Sequence, residues 1–131
     1  MIYIDTSVLL AQLLSEDRRP PADLWDQPLI ASRLVEYEVW NRIHARRLAE
    51  SHGEAARQLL ARVSMVELSP LALRRALEPF PGPLRTLDAL HLASVEYLRG
   101  QRLRVTLATY DARMARVAAE MEIPLEPLAD A

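Results

Sequence analysis

At 131 residues, half of them hydrophobic and 26% charged, the chain has the size and composition of one soluble globular domain with a substantial core. It has no cysteine, which excludes disulfides, thiolate metal sites and thiol nucleophiles, and at 5% aromatics it offers no base-stacking series. A net charge of −2 argues against non-specific binding of polyanions. Two details temper that: every basic residue is arginine, the side chain shaped for forked phosphate contact, and neutralising four acids with a bound cation would turn the balance to +2.

The first ten residues, MIYIDTSVLL, organise the rest. Met1 to Ile4 is short, apolar and β-prone, as the buried centre of a parallel sheet requires, and it ends at Asp5. Thr6 or Ser7 opens a first helix that runs to about Leu14, interrupted by SEDRRPP. Asp5, Glu16 and Asp17, with no basic leader, exclude a signal peptide or membrane span at this end, and no later run reaches membrane length; a cytoplasmic protein is expected. Pro20-Pro21 opens a short second helix that stops before Pro28. Leu29 to Ala31 reads as a second strand, with Ser32 as N-cap of a long helix over about 33–51 that Gly53 ends or breaks.

Glu54 to Arg62 continues as helix, and Ser64 to Leu68 is a third strand. Pro70 begins a helix through LALRRAL, and PFPGP is the clearest loop. Thr86 to Arg99 forms a strongly apolar helix ending at Gly100. Leu103 to Ala108 is a fourth strand and Ala112 to Met121 a helix. Ile123 to Leu128, with two prolines, suits an edge strand, and Ala129 to Ala131 a fraying tail. Strands and helices alternate throughout, so the chain is expected to form a single α/β domain over residues 1–131. Its architecture is three-layer α/β/α around a mainly parallel sheet of four to five strands.

Four carboxylates stand where such a sheet would gather them: Asp5 after strand one, Glu38 on the helix after strand two, Asp88 in the first turn of TLDALHLASVEYL, and Asp111 after strand four. Ligands bind such sheets beyond the carboxyl ends of the strands. Charged carboxylates about 4–5 Å apart at an effective dielectric near 20 repel by about 3–4 kcal/mol per pair, so a shared rim implies protonation or a cation. Oxygen ligands without cysteine or paired histidine favour Mg²⁺ or Mn²⁺. Each acid also has a plainer reading: Asp5 and Asp111 as helix caps, Glu38 as surface, Asp88 as a partner of the helix dipole. Helical spacing puts Glu38 on a stripe with Leu34, Asn41, Ala45 and Leu48, while Glu36 points about 200° away, which favours Glu38 for the inward role. His91, on an apolar helix, reads as a buried histidine making a structural hydrogen bond rather than a general base. Trp25 and Trp40 read as core, and RIHARR (Arg42 to Arg47) as a solvated helix face, with contact to nucleic acid a lesser alternative.

In IYIDTSVLL, SRLVEYEVWNRI, RTLDALHLASVEYL and LATYDARMARVA, taken together and in this order, the chain resembles the PIN domain and, more narrowly, the VapC-type toxins of toxin–antitoxin pairs. The resemblance implies that Asp5, Glu38, Asp88 and Asp111 form the catalytic and metal-holding quartet, with Thr6, Ser7 and Thr109 as supporting hydroxyls. Arg85, one turn before Asp88, reads equally as a contact for an RNA backbone or as a surface arginine. It implies an Mg²⁺- or Mn²⁺-dependent endoribonuclease in which water attacks the phosphodiester and leaves a 5′-phosphate. It further implies a homodimer and a VapB-like antitoxin as partner. Two other readings remain: an idle PIN-like binding module, against which the four intact acids speak, and a metal-dependent phosphatase, against which the absence of lysine and of a second acid near Asp5 speaks.

Overall fold

The computed structural model describes residues 1–14 and 17–128; the expected fraying of Ala129 to Ala131 lies outside the described residues. Four strands, β1 (Ile2–Ile4), β2 (Leu29–Ser32), β3 (Ser64–Val66) and β4 (Thr106–Ala108), form one sheet in the order β3-β2-β1-β4. Every neighbouring pair is parallel. The helices are α1 (Thr6–Leu14), α2 (Leu34–Ala45), α3 (Ala49–Leu60), α4 (Pro70–Ala76), α5 (Thr86–Gly100) and α6 (Ala112–Glu120), with a 3₁₀ turn at Ala22–Asp26 between α1 and β2.

Period-two alternation on β1 sorts the core into two layers. Ile2 and Ile4 face a cluster with Val8, Leu9, Val35, Val39, Ile43 and Leu60, supplied by α1, α2 and α3. Tyr3 faces the other, with Leu92, Val95, Leu98, Met114 and Val117 from α5 and α6. β1 is buried along its whole length, as a central parallel strand covered on both faces must be. Among the described residues, no helix is long and apolar enough to cross a membrane.

β3 ends earlier and β4 begins later than the sequence suggests, and two larger differences stand out. The long helix over 33–51 is two helices, broken at Arg46–Leu48, and Gly53 lies inside α3. Arg47 adopts a left-handed φ of 54° and the Leu48 N–H donates back to the Ile43 carbonyl at 2.9 Å, a helix stop made without glycine. Gly53 instead sits beneath Trp40, where a Cβ would meet the indole at an ordinary 3.5 Å. The expected fifth strand is reduced to one parallel bridge between Leu107 and Leu125, flanked by Pro124 and Pro127, which have no N–H to extend it.

Strand order determines where a site can form. From β1 the chain crosses to β2 and β3 on one side, and returns to β4 on the other. The crevice at the carboxyl ends of β1 and β4 is therefore the topological switch point of the sheet.

Candidate active site at the carboxyl edge of the sheet

Ladder register brings the first two site residues together. Ile4 pairs with Ala108, and the Asp5 N–H donates to the Ala108 carbonyl at 3.0 Å, so the residues that leave the sheet next to each other are Asp5 and Thr109. The Thr109 hydroxyl donates to Asp5 Oδ2 at 2.8 Å, and the Ser7 hydroxyl donates to the same oxygen at 2.8 Å. Backbone N–H groups fix both hydroxyls in turn, Tyr110 donating to Ser7 Oγ and Asp111 to Thr109 Oγ1, each at 2.9 Å. Asp5 is only 4% exposed, and its side chain serves these hydroxyls rather than capping α1. Thr6 does not join them: its hydroxyl is buried and makes no hydrogen bond.

Asp111 caps α6, its Oδ1 accepting from the Met114 N–H at 3.0 Å, while Oδ2 lies 3.7 Å from the Arg85 guanidinium. Arg85 also lies 3.7 Å from Asp88 Oδ2, one turn into α5, so this otherwise exposed cation spans two acids. Burial raises the pKa of Asp88, and the negative charges of Asp5 and Asp111 raise it further, outweighing Arg85 and His91. The charges of Asp5 and Asp111 thus both bear on Asp88 at one rim.

Glu38 reaches the same region by a different support. Its Oε1 lies 2.5 Å from Nε2 of His91, which is fully buried. His91 Nδ1 lies 2.7 Å from the Tyr3 hydroxyl, and that oxygen accepts the Ser32 N–H at 3.0 Å. With a neutral imidazole every donor finds an acceptor: Ser32 N–H to Tyr3, Tyr3 O–H to Nδ1, and Nε2–H to the Glu38 carboxylate. Burial pushes the Tyr3 phenol far above its usual range, so it stays a hydroxyl. Glu36 turns outward to Arg33 at 2.7 Å, as the helical spacing requires. The Tyr3–His91 link was missed by sequence reasoning, although a tyrosine in a buried strand needs a partner for its hydroxyl, and that need was the available signal.

As the side chains stand, no three His, Asp or Glu groups are close enough to hold a metal ion among the described residues. The donor set nonetheless fits a hard divalent cation in chemistry: oxygen donors only, with mutual repulsion at Asp88 that a cation would relieve. Burial and repulsion together predict the effect of removing one charge. Asp88→Asn should raise the melting temperature of the protein in chelator at neutral pH, because a carboxyl whose folded pKa is raised costs stability as pH rises from its unfolded value, and costs it in full above the folded one. Added Mg²⁺ should stabilise the unaltered protein and not this variant; thermal melts with and without the ion provide the check.

The PIN domain model matches residues 2–120 of the chain. Ribonuclease VapC46 of Mycobacterium tuberculosis is 32% identical over 126 residues, covering 89% of both chains. Among solved structures, VapBC2 from Rickettsia felis bound to a promoter DNA fragment superposes with a TM-score of 0.74 at 16% identity, over 98% of this chain and 100% of that one. A toxin–antitoxin complex from Klebsiella pneumoniae matches at 0.64 and 18% identity, over 86% of this chain and 88% of its counterpart.

Proposed function

Since the chain belongs to the PIN domain family, in its VapC-type branch, we propose that it is a divalent-cation-dependent endoribonuclease acting as the toxin of a toxin–antitoxin pair. The observation that carries this reading is the buried Asp5 carboxylate at the switch point, held by two hydroxyls and close enough to Asp88 for its charge to raise that acid's pKa. The mycobacterial relative's name as a ribonuclease supports RNA as substrate. The toxin–antitoxin complexes of like fold support a VapB-like antitoxin as partner, and a cytoplasmic homodimer is the assembly proposed.

Asp5, Asp88 and Asp111 would hold Mg²⁺ or Mn²⁺, with Glu38 beside them. When bound, such a cation lowers the pKa of a water and takes up charge that develops on the phosphate oxygens. The chain's own residues do the positioning. Ser7 and Thr109 both donate to Asp5 Oδ2 and fix its carboxylate. His91 holds Glu38 by one oxygen, and the cap contact with Met114 holds Asp111. Arg85, over the two outer acids, would be free to meet an RNA phosphate if a bound cation neutralised those acids in its stead. Attack by water, and not by the ribose 2′-hydroxyl, leaves a 5′-phosphate end.

The test is incubation of purified protein with structured RNA in Mg²⁺, Mn²⁺ or chelator, beside a phosphatase substrate. Cleavage that requires the ion, leaves 5′-phosphate ends and spares the phosphatase substrate is expected. Cleavage in chelator, or 2′,3′-cyclic ends, would overturn the reading.

A further inference from the structure

A polar relay passes over the carboxyl edge of the sheet and joins its two helical layers. It starts at Ser32, the last residue of β2, whose N–H donates to the Tyr3 hydroxyl at 3.0 Å. Tyr3, in the middle of β1, reaches His91 Nδ1 at 2.7 Å, and His91 Nε2 meets Glu38 Oε1 at 2.5 Å. Tyr3 and His91 are fully buried on the side of the sheet that α5 covers. Glu38 comes from α2, whose Val35, Val39 and Ile43 pack on the opposite face. Because α2 starts two residues after Ser32, the relay returns to the connection it left, a ring closed through β1 and α5.

Stability does not require such a chain. Phenylalanine and leucine would fill the space of Tyr3 and His91, and replacing both partners of a buried hydrogen bond with apolar groups of like shape is nearly neutral or stabilising. What apolar side chains cannot supply is direction. The two rings meet edge to face, 5.9 Å between centroids and 73° between planes, which brings the phenol to Nδ1 and leaves Nε2 for Glu38. His91 lies one turn after Asp88 on the same face of α5, so tying Glu38 to this ring also sets its distance from Asp88.

We propose that Tyr3 is a positioning residue for RNA cleavage: acting through His91, its hydroxyl sets where the Glu38 carboxylate stands relative to Asp88. This rests on the metal-dependent ribonuclease reading given above. With the phenol in place the imidazole is tied at both nitrogens, and Glu38, a half-buried side chain on a helix, is held to a fixed point instead of turning with solvent. Without the phenol the ring keeps one tie, and the carboxylate shifts with it. A misplacement of about 1 Å at a site group is enough to cost a large factor in rate.

The experiment titrates the metal-free full chain with Mn²⁺ by calorimetry and follows RNA cleavage by the same proteins. Tyr3→Phe removes one oxygen and keeps the ring. It should weaken Mn²⁺ binding and lower kcat, each by about tenfold, the lower end of what outer partners of a metal site contribute, with KM changed by less than about twofold. In a Glu38→Gln background the same substitution should alter Mn²⁺ affinity by less than about twofold, because its effect passes through that carboxylate. Val95→Ala opens a cavity in the same buried layer, one turn further along α5, and should leave both readouts unchanged. If Tyr3→Phe folds poorly, Tyr3→Phe with His91→Leu keeps the layer apolar and carries the same expectation. Full Mn²⁺ affinity and rate in Tyr3→Phe, an equal loss when Glu38 is already glutamine, or an equal loss in Val95→Ala would overturn the proposal. If the unaltered protein neither binds Mn²⁺ nor cleaves RNA, the ribonuclease reading fails first and takes the proposal with it.

Discussion

Asp5→Asn is expected to lower metal-dependent RNA cleavage by more than about a hundredfold, beyond the roughly 10–100-fold loss that follows when only an outer partner of a metal site is removed. The substitution keeps the shape of the side chain, and Ser7 and Thr109 can still donate to the amide oxygen. It removes the one acid at the switch point that is both nearly inaccessible and held by two hydroxyls. Initial rates on RNA in Mn²⁺, beside a thermal melt showing an intact fold, are the measurement. Retention of activity within about tenfold would remove Asp5 from the reaction.

His91→Phe is expected to cost about 2–4 kcal/mol of stability, read from urea denaturation. A phenyl ring fills much of the space but leaves the buried Tyr3 hydroxyl and the Glu38 carboxylate each without its partner, and each such loss costs about 1–3 kcal/mol. A loss below about 1 kcal/mol would contradict this account of the buried link. The difference also has a pH dependence. Burial lowers the His91 pKa, but the hydrogen bond and charge of Glu38, aided by Asp5 and Asp88, outweigh it and leave the pKa raised. A histidine with a raised folded value contributes fully below its unfolded value of about 6.5, and that contribution is lost as pH rises through the folded value. The stability gap between the unaltered protein and His91→Phe should therefore narrow as pH rises above about 6.5.

These two residues also mark how far the sequence alone could be read. Asp5 was visible because three local signals agree there: an apolar strand, an acid at its end, and a helix directly after. The three-layer sheet followed from the same alternation, and the observed strand order adds what no local pattern contains, namely that β4 lies beside β1 and so delivers Thr109 to Asp5. His91 was expected to be buried in a structural hydrogen bond, and it is; its two partners are 53 and 88 residues away in sequence, a separation no periodicity reports. The break between α2 and α3 was hidden for a different reason. Arginine carries no signal for the left-handed conformation it adopts at position 47, and the nearby glycine drew the boundary toward itself. Thr6 shows the converse: a hydroxyl next to a site acid in sequence need not face it, because the first turn of α1 points it into the interior.

Calorimetric titration of the metal-free protein with Mn²⁺ bears most directly on whether distant carboxylates share one cation. Saturable binding that is lost in both Asp5→Asn and Asp88→Asn, and retained in Glu36→Gln on the outward face of the same helix as Glu38, is the result expected. Absence of saturable binding, or binding that survives the loss of Asp5, would contradict a common site at the carboxyl edge of β1.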